Sequence, residues 1–365
     1  AQRYAPCQCP SSTTWRGAIF PGVGPGAGPV ARVSARSPVA SSALPGEFSW
    51  FRCPEHGGRP PGSNPGPDIA RYMTHTLAFE GHWSKLVVPL DFAKCMLESH
   101  SHNSLTTLLA PDEPPPFVIM NPITETPLLL VCDHASCRFP KSLGDMGLDP
   151  FAQRCHLAID IGAGSLTESL AQSLGVTAVL AQYSRLVVDC NRDLLDSSAF
   201  LAYGDGIVVP GNNGLSTAHK ELRASEIYWP YHEAVDGQVR RLSAQGTKPA
   251  LVSVHSFTPV LNGESRSWQI GVLWDKDESL KEIFLEGFRD AGFLTGDNEP
   301  YSGKAPADYT IDNHGEANGL PCVGIEIRQD LIGDARGVER MAKVMHEIIA
   351  TIPERLGYEG QRITA

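Results

Sequence analysis

The chain has 365 residues, 42% of them hydrophobic and 19% charged, which supplies a sizeable core and excludes a wholly disordered or fibrous chain. No stretch approaches the roughly 18 uncharged apolar residues that a membrane-spanning helix needs. The 30 basic and 41 acidic residues give a formal net charge of −11 without a basic cluster, so neither a nucleic acid nor a membrane is an expected partner.

Residues 1–70 contain 12 Pro, 10 Gly, six Arg and no Lys, with no apolar period, the composition of a low-complexity or disordered segment. Gly22–Gly28 is glycine-rich, but no strand precedes it and Pro29 follows it, so it reads as linker rather than phosphate loop. No basic start leads into an apolar stretch and a small-residue cleavage site, so no signal peptide is read. Residue 1 is Ala, and Met96 opens a stretch of ordinary globular composition. The expected organisation is a leader over 1–95, not necessarily native to the working protein, and a single α/β domain over 96–365. Charge divides at the same place: 9 basic and 5 acidic residues (net +4) precede Met96, against 21 and 36 (net −15) from there on. The nine cysteines are odd in number, widely spread and often inside apolar runs, which predicts buried free thiols and a reducing, cytoplasmic location. Cys7 and Cys9 lie too close together, with no partner pair, for a zinc site.

In chain order, apolar runs predict buried, mostly parallel strands at Leu128–Asp133, Thr177–Ala181, Leu186–Asp189, Ala250–His255, Gln269–Trp274 and Cys322–Ile327. Helical patterns lie between them at about 164–174, 216–245 (capped by Ser216 and bent near Pro230), 278–291 and 335–350. This alternation predicts an α/β fold, a mostly parallel sheet with helices on both faces, whose ligands bind beyond the carboxyl ends of strands.

Those ends carry the chemistry. The first strand leads into Asp133-His134-Ala135-Ser136, another into Asp189-Cys190-Asn191-Arg192, a third into His255-Ser256, and the last into Glu326-Ile327-Arg328. A zinc-type catalytic site takes three N/O ligands and leaves one position open. His134 and His255 offer two imidazoles, and Asp160 is the nearby carboxylate after the first strand. A lone His is more often a structural residue, and two at separate strand ends leave the ligand and structural readings evenly weighted.

With these segments the chain, over 128–350, resembles the N-formylglutamate amidohydrolase family, metal-dependent amidases with a sheet like that of zinc carboxypeptidases and aspartoacylases. The resemblance rests on Val131–Ser136, His156–Ala163, Ser184–Arg192, Val254–Ser256 and Gly324–Arg328, in that order. It implies a phosphorylase/hydrolase-like, zinc-carboxypeptidase-like fold, with zinc or another divalent ion bound by His134 and His255. The wider carboxypeptidase pattern has a Glu three residues after the first His, where this chain has Cys137. Asp160 is preferred to Cys137 as third ligand, because no carboxylate follows the motif before Asp145. The resemblance further places the general base at Glu326, on one face with Arg328, where both could meet one ligand. It places carboxylate recognition at Asn191 and Arg192. Arg185 is a candidate for a second carboxylate, with an ion pair as its alternative. His314 is a candidate for oxyanion stabilisation, with a structural hydrogen bond as its alternative. The implied reaction is hydrolysis of a small anionic N-acyl amino acid, foremost N-formylglutamate, as in histidine degradation. No feature sets an oligomeric state.

Three rivals stand beside this reading. No Gly-x-Ser-x-Gly elbow supports a serine hydrolase. A dinucleotide site at Gly162-Ala163-Gly164 lacks the third glycine, where Thr167 stands, and an acidic residue after the next strand. A binding protein that has lost its chemistry would not need Glu326.

Overall fold

The computed structural model describes the backbone of residues 72–79 and 82–89 and the whole chain over 107–304 and 308–358. The expected leader, 1–95, lies outside these residues except for an antiparallel hairpin of Tyr72–Phe79 on His82–Pro89. The main sheet has seven strands: β1 Phe117–Met120, β2 Leu128–Cys132, β3 Thr177–Ala181, β4 Ala250–Phe257, β5 Ile270–Leu273, β6 Thr295–Asp297 and β7 Cys322–Arg328. Their order is β6-β5-β7-β4-β2-β3-β1. The four central strands β7, β4, β2 and β3 are mutually parallel, whereas β5 runs against β7 and β1 against β3. The expected mostly parallel α/β sheet is therefore present.

Every residue of β2 and β4 is buried, as a sheet covered on both faces requires. Alternate residues feed two cores. Leu128, Leu130 and Cys132 pack with α1 (Ala163–Leu174), α4 (Lys281–Asp290) and α5 (Ala335–Ala350). Leu129 and Val131 pack with Tyr231, Val235 and Leu242 of α3 (Trp229–Ser243) on the other face.

The predicted helix over 216–245 is α2 (Thr217–Arg223) and α3 joined by a π-helical turn, Ala224–Tyr228. Pro230 falls in the first turn of α3, where its missing N–H costs little. Ser216 caps α2 by accepting the His219 N–H at 3.3 Å.

Leu186–Asp189, predicted as a strand, is a turn. Three apolar residues before an Asp carry no period that separates a strand from any other buried segment. Side-chain donors replace the ladder: Arg223 donates to Val187 O at 2.9 Å and Asn212 to Leu186 O at 2.9 Å. Among the described residues no helix is long and apolar enough to cross a membrane, and Cys132, Cys155, Cys190 and Cys322 are buried thiols outside any disulfide.

The Gly-x-Gly at the start of α1 serves packing. Gly162 caps the helix at φ 84°, a conformation that favours glycine. Gly164 lets α1 approach the loop after β2, since a Cβ there would lie 2.7 Å from Ala135 O. Gly164→Ala should therefore lower stability by about 1–3 kcal/mol, the usual cost of overpacking. The midpoint of urea unfolding checks this, and an unshifted midpoint would refute the close approach.

Candidate active site

Sheet topology brings the strand-end residues together. From β2 the chain moves to β3 on one side and then returns to β4 on the other, so the order reverses between β2 and β4. Such a switch point opens a crevice at the carboxyl ends. His134 follows β2 on one side of it, and His255, two residues before the end of β4, stands on the other. The parallel register pairs His255 with Glu326, which sets Glu326 beside it. Asp160 arrives from the β2–α1 loop, held by its N–H to His134 O at 3.1 Å.

Asp160 Oδ2 lies 3.2 Å from His134 Nδ1 and 2.8 Å from His255 Nδ1. The far nitrogens are held as well: His134 Nε2 lies 2.7 Å from Asp189 Oδ1, and His255 Nε2 lies 3.2 Å from Asp133 Oδ2 and 2.9 Å from Ser253 Oγ. Asp133 is fixed in turn by the hydroxyls of Tyr231 (2.8 Å) and Thr310 (2.6 Å). Both imidazoles thus present Nδ1 to one point, with a carboxylate behind each. Orientation by a carboxylate on the far nitrogen is the usual setting of a metal-ligating histidine.

His134, Asp160 and His255 are all buried, and one ligand atom from each lies within 4.8 Å of the others, so the three could hold a metal ion. Cys137, the alternative third ligand, is not part of this group. Burial works against the charge of Asp160, yet His134 and His255 hold its carboxyl well below the usual range. Burial likewise opposes ionisation of Asp189, and Arg185 and His134 overcome it.

These residues line a cleft of about 400 Å³. Glu326 is in its wall, with Oε2 buried and without a hydrogen-bond partner among the described residues, and burial pushes its carboxyl up to about 7. A carboxyl poised near neutrality can take or give a proton at physiological pH.

The other expected residues divide. Asn191 and Arg192 line the cleft: Asn191 Oδ1 accepts the Thr310 N–H at 3.0 Å, and Arg192 Nη1 donates to Asn191 O at 2.7 Å. Arg185 also lines it, but its guanidinium is engaged by Asp189 Oδ2 (3.0 and 2.7 Å) and Asp160 Oδ1 (3.3 Å). The ion pairs expected as the alternative for Arg185 are thus present, on a side chain that still lines the cleft. His314 is not in the cleft: on a π-helical turn, it lies 2.9 Å from Asp236 of α3 through Nδ1 and 2.9 Å from His232 through Nε2. Arg328 is likewise absent from the lining. Its guanidinium binds Asp330 at 2.7 and 3.1 Å and the carbonyls of residues 266–268, and so turns away from Glu326. Asp133 and Asp189 carry no expected role, although both lie inside the segments Val131–Ser136 and Ser184–Arg192. His156, Tyr301 and Asp308, which line the cleft from loops, carry none either.

An α/β sheet with a His–His–Asp cluster and a near-neutral carboxyl at its switch point has the layout of a hydrolytic enzyme. The family model of N-formylglutamate amidohydrolase matches residues 126–333, and the chain belongs to that family. A crystallised gene product from Agrobacterium tumefaciens is 33% identical, with a TM-score of 0.65 over 69% of this chain and 98% of that one. The crystal structure of N-formylglutamate amidohydrolase from Ralstonia eutropha, 20% identical, shares the fold at a TM-score of 0.52 over 67% of this chain and 98% of that one. No curated protein matches the chain.

The placement of Arg185 carries a test. Arg185→Ala leaves Asp160 and Asp189 buried without their cation, which should cost about 3–5 kcal/mol in the metal-free protein. Urea unfolding measures this. A substrate-binding arginine would leave the midpoint unchanged and raise KM alone.

Proposed function

We propose that this protein hydrolyses the amide bond of an N-formyl amino acid, foremost N-formylglutamate, to the free amino acid and formate, with a divalent cation, foremost zinc, held by His134, Asp160 and His255. The observation that carries this reading is the convergence of both Nδ1 atoms on Asp160 Oδ2, each ring backed by a carboxylate. The orphaned Glu326 Oε2 in the same cleft supports it, as a group that awaits water or substrate. A bound zinc ion would polarise the amide carbonyl and lower the pKa of water from 15.7 to about 7.

The chain's own residues account for the rest. Glu326 accepts the proton of the attacking water at the carbonyl carbon and delivers it to the nitrogen as the C–N bond breaks, so that formate and the free amine leave. Burial keeps its conjugate acid a competent donor near pH 7. Arg192, in the same cleft, offers the planar fork suited to the amino-acid carboxylate. Asn191 steadies it through the backbone carbonyl that Arg192 grips and reaches to within 3.4 Å of His255 Nε2. Arg185 and Arg192 supply the fixed positive charges of a cleft that Asp160, Asp189, Asp308 and Glu326 also line. On the same reading the working domain lies within 96–365.

Glu326→Gln preserves shape but cannot take a proton, so kcat should fall about 10²–10⁴-fold. Its metal content should equal that of the wild type by elemental analysis; lost metal would make Glu326 a ligand instead. In the wild type, Glu326 must be ionised to act as base, so kcat/KM should rise with pH. The acid limb should have an apparent pKa no higher than about 7, since a neighbouring cation favours the carboxylate. An acid limb left unchanged in Glu326→Gln would remove Glu326 from the reaction as its base.

The ligand set is tested separately. Asp160→Ala should abolish stoichiometric metal while Cys137→Ser retains it. Asp189→Asn, which loosens only the support behind His134, should weaken affinity about 10–100-fold in a competition titration with a chelating dye. The reverse ranking of Asp160 and Cys137 would refute this ligand assignment.

A further inference from the structure

Two short hairpins stand at the cleft. One pairs Tyr203–Gly204 with Ile207–Val208, the other Val260–Leu261 with Glu264–Ser265. Each turns through two residues of positive φ: Asp205 (40°) and Gly206 (78°) in the first, Asn262 (50°) and Gly263 (80°) in the second. Asp-Gly and Asn-Gly are the pairs that two-residue hairpin turns favour.

The two tips meet through one carboxylate. Asp205 Oδ1 accepts the backbone N–H of Asn262 at 2.8 Å. Asp205 Oδ2 also lies 3.1 Å from His156 Nε2, within ion-pair range though not aligned for a hydrogen bond. His156 and Leu261 line the cleft, as do Leu157 and Leu201, on which the first hairpin rests: a Cβ at Gly204 would lie 3.2 Å from Leu201 and 3.3 Å from Leu157. The enclosed space, about 400 Å³, is at the small end of the roughly 300–1,000 Å³ of ligand pockets.

We propose that Asp205 is a specificity-determining residue: by joining the two hairpins to each other and to His156, it restricts the cleft to a single N-acyl amino acid and excludes N-acyl peptides. The proposal rests on the amidase reading above. The residue type fits the task. Asp tolerates the left-handed backbone that the turn needs, and an ionised carboxylate has two oxygens for two partners. Leu201, two residues before the first hairpin, and Leu261, in the second, both line the cleft, so the lock at Asp205 limits how far that wall can open for a peptide that continues past the substrate carboxylate.

The test compares Asp205→Gly with the wild type. Gly accepts the positive φ without strain and removes both links, whereas Asp205→Asn keeps an acceptor for Asn262 and should fall between the two. Two readouts are taken on the full chain. Amide hydrogen exchange should accelerate in both 203–208 and 260–265 in Asp205→Gly. The ratio of kcat/KM for an N-formyl dipeptide to that for N-formylglutamate should rise about tenfold or more, the scale on which pocket fit discriminates substrates. Faster exchange with an unchanged ratio would overturn the specificity role, and unchanged exchange in 260–265 would overturn the clasp itself. If the wild type cleaves neither substrate, the amidase reading fails and takes the specificity role with it. The exchange data still decide whether Asp205 joins the hairpins.

Discussion

Asp160 is the point on which the site turns. One of its oxygens faces two imidazoles and the Ser256 N–H (3.2 Å), and the other faces Arg185. Around it, Asp133, Asp160 and Asp189 are three buried carboxylates against one guanidinium and two imidazoles. Buried ions are tolerated only when paired and hydrogen-bonded. Either two protons on the imidazoles or one divalent cation between neutral imidazoles balances this set. Without a metal, burial disfavours charged imidazoles, but the carboxylates outweigh it and raise the pKa of both His134 and His255. A cation that binds there displaces those protons, so its affinity must strengthen as pH rises.

The sheet makes this geometry cheap to build. The two histidines and Glu326 follow β2 or sit on β4 and β7, three adjacent parallel strands, so their positions follow from register, and Asp160 joins them from the β2–α1 loop. Strands packed on both faces hold such positions more firmly than loops would. The loops add what can vary: Asn191 and Arg192 after β3, and the two hairpins joined at Asp205. On the proposed reading the strands serve the reaction and the loops serve the choice of substrate.

Much of this was legible in the sequence because the central strands are continuous apolar runs that end abruptly in polar residues. Leu128–Cys132 followed by Asp133-His134 is the clearest case, and the preference for Asp160 over Cys137 agrees with the cluster that the structure shows. What escaped depended on partners distant in sequence. Leu186–Asp189 has strand composition, but Arg223 and Asn212 bind its carbonyls and keep it a turn. Arg328 shares a strand with Glu326, yet Asp330 and three carbonyls draw it away. His314 was read as a cleft residue because nothing nearby announces His232 and Asp236, one helical turn apart on α3. The antiparallel course of β5 leaves no mark in a four-residue run, and Asp133 and Asp189 take their meaning only from the far nitrogen of each imidazole.

On the proposed reading the carboxylates behind the two histidines aim both Nδ1 atoms at a common metal. Anomalous diffraction at the zinc absorption edge, from crystals of zinc-loaded protein, shows whether they do. One strong peak is expected within about 2.0–2.2 Å of His134 Nδ1, His255 Nδ1 and an Asp160 oxygen, the usual range for zinc bound to nitrogen and oxygen. A peak on the Nε2 atoms, on Cys137, or absent from the cleft would contradict it.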